Sequence, residues 1–290
     1  MSRGRGKRGV EIIATATSIL EEIQPASVRA ICYRLFVAGL IPNMAKSATN
    51  AVSRMLTQAR EAGEIPWEWI VDESREAEVA PRWSGPEAII RSAVRQYRKD
   101  YWQDQDFRVE VWSEKGTVRG TLAPVLDEYG VTFRVMHGYA SATVINEIAT
   151  YSMAIEDKPL VALYVGDWDP SGKHMSDVDL PERLEKYGAA VDLERVALLH
   201  EDLRNLPSFS IETKSKDPRY RWFRDEIGTA CYELDAMPPP GLRARVTEMI
   251  ESYIDLPLWE HAKAIEAVEV ESMEDFHKSW QASICSGGQT

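Results

Sequence analysis

The chain has 290 residues, 44% of them hydrophobic and 28% charged, with a formal net charge of -12. This is the composition of a soluble globular chain long enough for two domains, and its acidic balance excludes a protein that coats nucleic acid uniformly. Cys32, Cys231 and Cys285 are scattered and lie in no CxxC or Cys/His spacing, which supports neither a disulfide framework nor a zinc site and predicts a reducing, cytoplasmic compartment.

In chain order, "MSRGRGKRG" (residues 1–9) reads as a basic flexible arm without the apolar stretch of a signal peptide. Residues 10 to about 40 carry two helical patterns, "VEIIATATSILEEI" and "PASVRAICYRLFVAGL", the second entered through Pro25 and Ser27 and broken at Gly39. A third helix, "SATNAVSRMLTQAREAG", ends at Gly63 as a C-cap would. "EIPWEWIVDESRE" then reads as two short extended pieces, so residues 10–80 have the plan of a winged helix, three helices and a small β-ribbon. "VAPRWSGPEA" marks a linker, followed by a helix from Glu87 to about Tyr101, so 81–104 reads as linker and connecting helix.

From residue 105 the pattern alternates. "FRVEVW", "VTFRVMHG", "PLVALYVGD" and "AVDLERVALLH" read as strands, and "GTVRGTLAPVLDEYG", "SATVINEIATYSMAIED" and "MSDVDLPERLEKYG" as the helices between them. The predicted fold class is therefore α/β, a mainly parallel sheet flanked by helices over 105–290 with a C-terminal helical extension. No run reaches transmembrane length, so no membrane partner is expected. Charge is uneven: residues 1–60 hold nine Lys/Arg against three acids, while 233–277 hold eleven acids against three basic groups. Nucleic acid would meet the front half.

Ligand sites of parallel sheets lie at the carboxyl ends of the strands. Glu114 follows one predicted strand and Asp167 and Asp169 follow another, in "LYVGDWDPSG". Residues two apart on an extended chain point the same way, so both aspartates can face one cleft while Trp168 faces away. Taken alone, "DWDP" reads as an Asp-Pro turn whose Asp169 caps the next helix. With Glu114 at a second strand end, it reads as a carboxylate site for a hard divalent ion, Mg²⁺ above all and Mn²⁺ as an alternative. Gly116 and Gly172 are expected to let the backbone turn sharply beside it. Asp177 and Asp179 read as outer groups or as a solvated helix face, and Glu110 as a structural residue within its strand.

"SEKG" and "GDWDPSG" resemble the Toprim domain of topoisomerases, primases and related nucleases. The D-x-D-P-x-G form is similar above all to the topoisomerase VI A subunit and to the related meiotic double-strand-break transesterase. Trp168 and Ser171 depart from the usual pattern, a smaller residue and an aromatic, as in a divergent branch. The resemblance implies that Glu114, Asp167 and Asp169 hold Mg²⁺ and that a tyrosine in an N-terminal winged helix attacks DNA. "SVRAICYRLF" resembles that nucleophile segment, with Arg29 four positions before Tyr33. At about 100° per residue Val28, Ile31, Cys32 and Leu35 share a core face, from which Tyr33 falls away, next to Arg29. The alternative for Tyr33 is an amphipathic residue at a domain seam.

The resemblance spans about residues 25–258. Arg60, Arg75 and Lys115 are candidate DNA-binding residues, with a solvated surface as the alternative for the two arginines. "TKSKDPRYRWFRD" suits DNA or a partner surface, and His137 and His174 read as supports near the cleft. The leading expectation is Mg²⁺-dependent cleavage of double-stranded DNA by tyrosine transesterification, leaving a 5′-phosphotyrosyl link. The resemblance implies a homodimer, and the lack of a Walker-type loop leaves ATP-driven passage to a separate ATPase subunit. A Toprim nuclease using metal-activated water and a non-catalytic DNA-binding accessory protein are the alternatives.

Overall fold

The computed structural model describes residues 6–71, 82–136, 142–155 and 158–287. The chain divides into two compact units, Met1–Ser74 with Arg108–Ser252, and Arg75–Phe107 with Tyr253–Thr290.

In the first unit, α1 (Lys7–Ile23) begins inside the stretch expected to be an arm, with Gly6 as its extended N-cap. Ile12, Ile13, Ala16, Leu20 and Ile23 form its buried stripe. A two-residue strand, β1 (Ala26–Ser27), leads into α2 (Val28–Val37), where the Ser27 hydroxyl accepts from the Ala30 amide as an N-cap. Gly39, at a φ of 73°, stops that helix, as Gly63, at 72°, stops α3 (Lys46–Glu61). Ile31, Cys32, Leu35, Val52 and Leu56 close a core with α1. Within the stretch expected to be extended, Trp67–Trp69 is a 3-10 turn and Ile70–Val71 forms β2, which pairs with β1 in parallel. The rest of that stretch, residues 72–76, lies outside the described residues.

α4 (Pro86–Gln96) belongs to the second unit. The chain then returns to the first as the α/β pattern predicts: β3 (Arg108–Ser113), α5 (Thr117–Tyr129), β4 (Thr132–Val135), α6 (Ala142–Ala154), β5 (Leu160–Val165), α7 (Pro170–His174), a π-type turn (Met175–Asp179), α8 (Leu180–Lys186) and β6 (Val191–Ala197). The four strands form one parallel sheet in the order β4-β3-β5-β6. Every residue of β5 is buried, as expected of a central strand covered on both faces. Glu110 is structural: its carboxylate accepts from Arg134 at 2.7 and 2.9 Å and from the Trp112 indole at 2.6 Å.

After the sheet, β7 (Phe209–Ser210) pairs antiparallel with β8 (Ala230–Cys231), flanking α9 (Tyr220–Glu226) over a small core of Ile211, Phe223 and Cys231. α10 (Pro239–Glu251) follows. From it the Arg243 guanidinium donates at 3.3 Å to the carbonyls of Ile23, Gln24, Pro25 and Thr121, tying the α1–β1 turn and α5 to one point.

In the second unit, α4 packs with α11 (Leu256–Gly287). The helix expected from Glu87 to Tyr101 breaks at Tyr97, which turns extended and sends its hydroxyl to Glu269. Trp102 and Trp259 meet edge to face at 5.4 Å. Among the described residues no helix is long and apolar enough to cross a membrane.

Candidate functional site

The sheet order explains where a site forms. From β3 the chain moves to β4 on one side, then crosses to β5 on the other, so β3 and β5 part their loops at a topological switch point. Glu114 follows β3 directly, and Asp167 and Asp169 follow β5. Burial and then the charges of Asp167 and Asp169 raise the Glu114 pKa, so the three carboxylates stand within electrostatic reach.

Asp169 is the extended N-cap of α7 and accepts from the Gly172 amide at 2.8 Å. The turn reading of "DWDP", with Asp169 capping the next helix, is therefore realised. Gly172 is required by proximity rather than by a sharp turn: a Cβ there would stand 2.4 Å from the Asp167 carbonyl oxygen. Gly116, at φ −63° and ψ −30°, occupies ordinary helical space, so the special freedom expected of it is not used.

Arg195, on β6, props the loop from below. It donates to the carbonyls of Gly166 (2.9 Å), Leu198 (2.9 Å) and Gly172 (3.1 Å), to the Asp167 carbonyl and to the Ser176 hydroxyl. Its guanidinium lies 5.3 Å from the Tyr164 ring centroid and 5.9 Å from that of Trp168. Trp168 also receives Lys173 Nζ at 4.4 Å. Its backbone exchanges two 2.9 Å hydrogen bonds with Tyr232, an isolated antiparallel bridge.

That bridge brings in two acids that sequence reasoning passed over. Tyr232 is followed by Glu233 and Asp235, in "YELDAMPPPGLRARV". The Leu234 amide donates to Asp167 at 2.8 Å. The signal that could have found them is a second acid-x-acid pair, equal in spacing to 167 and 169, just before a proline-started helix.

Two lysines neutralise part of this cluster. Lys115 Nζ is 2.8 Å from Asp167 and 3.2 Å from Asp235. Burial opposes its charge, but the two carboxylates outweigh burial and raise its pKa. Lys214, from the "TKSK" segment, lies 2.9 Å from Asp169, with the same balance and the same direction. Lys115 is thus tied to the carboxylates of Asp167 and Asp235.

Arg29 and Tyr33 approach the cluster from α2. Arg29 pairs with Glu233 and lies 3.9 Å from Asp235, while the Ser27 hydroxyl donates to Asp235 at 2.9 Å. Tyr33 stands outside the helical core cluster, yet it is only 5% exposed. The expectation of a hydroxyl displayed outside the core has a simple correction: the side chain left the helix's own core face and was covered by the far segment carrying Glu233. Burial first and then the Glu233 carboxylate raise the phenol pKa, against the opposing pull of Arg29, whose guanidinium is 5.9 Å from the ring.

The other expected residues are placed as follows. Arg60 lies 4.3 Å over the Trp67 ring and donates to the Trp67 carbonyl at 2.8 Å, a contact within its own helix-turn region. Arg75 and His137 lie outside the described residues. His174 stands edge to face with Trp222 at 5.0 Å. Asp177 pairs with Lys173 at 2.6 Å and Asp179 with Arg183 at 3.3 Å, as residues of a helix face do.

Among the described residues no group of three or more His, Cys, Asp or Glu side chains is disposed to hold a metal as it stands. The donor chemistry nevertheless fits a hard divalent cation: it is all oxygen and rich in carboxylate. The buried Tyr164 hydroxyl, within electrostatic reach of Glu114, Asp167 and Asp169, has no hydrogen-bond partner. A cation bound here would take the place of the Lys115 and Lys214 ammonium groups. Compared with protein-family models, with curated proteins and with solved structures, the chain matches none.

Proposed function

We propose that this chain is a Toprim-type DNA-cleaving enzyme similar to the topoisomerase VI A subunit, with residues 10–80 as its winged helix. The observation that carries the reading is a carboxylate cluster at a parallel-sheet switch point with a tyrosine–arginine pair against it. Glu114, Asp167 and Asp169 would hold Mg²⁺ or Mn²⁺, which when bound supplies charge stabilisation to a phosphate and a leaving oxygen. Tyr33 attacks the phosphorus of a DNA phosphodiester through its hydroxyl oxygen. The phosphorus–O3′ bond breaks, leaving a 5′-phosphotyrosyl link and a 3′ hydroxyl.

A phenol is a weak nucleophile until its proton has an acceptor. The Glu233 carboxylate beside Tyr33 is that acceptor, and a proton returns to the O3′ oxygen. Arg29 binds the phosphate oxygens once it lets go of Glu233. The family resemblance implies a homodimer that reacts in trans and a separate ATPase subunit, and the scattered cysteines fit a reducing, cytoplasmic setting. The contacts of Arg29 and Tyr33 with Glu233 of their own chain support a reaction in cis instead.

Hydrolysis by metal-activated water is the second reading, and burial of Tyr33 with its raised pKa favours it. Incubation with duplex DNA and Mg²⁺, followed by denaturing gels, separates the two. A covalent protein–DNA adduct should form in the wild type and disappear in Tyr33→Phe and Asp167→Ala. Cutting by Tyr33→Phe without an adduct assigns hydrolysis, and no cutting under any condition refutes both. Mixing Tyr33→Phe with Asp167→Ala should restore nothing if the site is built in cis, whereas recovered adduct would show the trans arrangement.

A further inference from the structure

A cavity of about 510 Å³ opens beside the carboxylate cluster, between α2, the loop at residues 42–45 and the segment from Pro207 to Lys214. Its volume lies within the ~300–1,000 Å³ of pockets that enclose a small molecule. Its walls are of two kinds. Tyr33 and Phe36 from α2 and Phe209 from β7 supply aromatic surface, and Asn43 supplies an exposed amide. Two cations line it, Arg29 and Lys214, against the one lining carboxylate Glu233.

The cations connect the cavity to the chemistry. Arg29 is the partner of Glu233, and Lys214 is the partner of Asp169 at 2.9 Å. The Lys214 ammonium also lies 6.0 Å from the Phe209 ring centroid. A ligand with a flat apolar body and an anionic end would therefore stack in the cavity and leave its anion at Arg29 and Lys214. A purely apolar ligand would waste both cations, and an inorganic anion would waste the aromatic walls.

We infer that this cavity takes one unstacked nucleotide of a DNA strand, its base among Phe36, Phe209 and Tyr33 and its phosphate at Arg29 and Lys214. The inference rests on the DNA-cleaving reading and deepens it, since it assigns the substrate as a strand with an unpaired base beside the scissile phosphate. A fully paired duplex keeps its bases turned inward and offers nothing to such a cavity. Aromatic stacking accepts any base, so the preference is for unpairing rather than for sequence.

The test measures binding in EDTA, without cutting, to three DNA duplexes: fully paired, with one bulged thymidine, and with one bulged abasic site. The thymidine bulge should bind roughly 5- to 150-fold more tightly than the abasic bulge, the range of stacking one base on an aromatic side chain. Phe209→Leu should erase that advantage and leave affinity for the paired duplex unchanged. Asn43→Asp, on an exposed loop whose acceptor oxygen it retains, should weaken the bulged duplex through charge and decides the matter if Phe209→Leu fails to fold.

Equal affinity for thymidine and abasic bulges, or equal losses on all three duplexes in the variants, would overturn the inference. So would saturation by free thymidine monophosphate with no gain from the bulge, which would assign the cavity to a free nucleotide. Since no metal is present, failure here leaves the cleavage reading standing, and failure to cut leaves this binding result standing.

Discussion

Replacing Lys115 by methionine keeps an unbranched side chain and removes its charge. In the folded chain the lysine side chain is 29% exposed and joins Asp167 and Asp235, each 10% exposed, at 2.8 and 3.2 Å. Removing one partner of a buried ion pair costs about 3–5 kcal/mol, because the abandoned charges stay desolvated. Water reaches this lysine in part, which lowers the expected loss to about 2–3 kcal/mol. A divalent cation held by Glu114, Asp167 and Asp169 would supply positive charge to the Asp167 carboxylate that Lys115 now neutralises. By linkage, a cation at about one hundred times its dissociation constant returns about 2.7 kcal/mol.

The assay is urea unfolding of wild type and Lys115→Met in EDTA and in Mg²⁺, with ionic strength matched by KCl so that general screening cancels. In EDTA the variant should unfold at the lower midpoint. In Mg²⁺ it should recover more than the wild type, whose own ammonium competes for the site. An equal Mg²⁺ response in both proteins, or a loss below about 0.5 kcal/mol in EDTA, would refute the argument that lysine and metal share one place.

Two further predictions concern the frame of the site. Glu114 has a raised pKa in the fold, so above the ordinary carboxylate range the folded state binds more protons than the unfolded one, and stability falls as pH rises through the folded value. Glu114→Gln should remove that fall, so its urea midpoint in EDTA should exceed wild type near neutral pH and converge with it in acid; a wild-type profile already flat there would contradict the assignment. Arg195→Met should remove the guanidinium donor from the carbonyls of Asp167 and Leu198, and one of several donors from those of Gly166 and Gly172, which the Leu198 and Met175 amides also reach, a loss of about 2–4 kcal/mol by unfolding. A loss under about 1 kcal/mol would mean that other donors replace it.

How much was legible beforehand differs between the parts. The α/β alternation was readable because apolar runs and helix caps are local: β5 and α5 lie where "PLVALYV" and the helix before Gly130 place them. The end of α4 was not, since Tyr97 leaves the helix to reach Glu269, far along the sequence. Trp168, without an assigned role in the sequence, is a surface for Arg195 and Lys173 and the residue whose backbone pairs with Tyr232. The burial of Tyr33 could not be read from α2, whose periodicity describes only that helix's own core face.

The sequence by itself determined that strands alternate with helices and that carboxylates end two of the strands, because propensity, capping and alternation act over a few residues. Tertiary structure alone decided that β3 and β5 are neighbours at the switch point, and that Glu233 and Asp235 join Glu114, Asp167 and Asp169. It also decided that lysines hold the carboxylates together and that Tyr33 lies under the Glu233 segment. Strand order and long-range ion pairing are set by the burial of faces contributed from distant parts of the chain, and no local pattern carries that information.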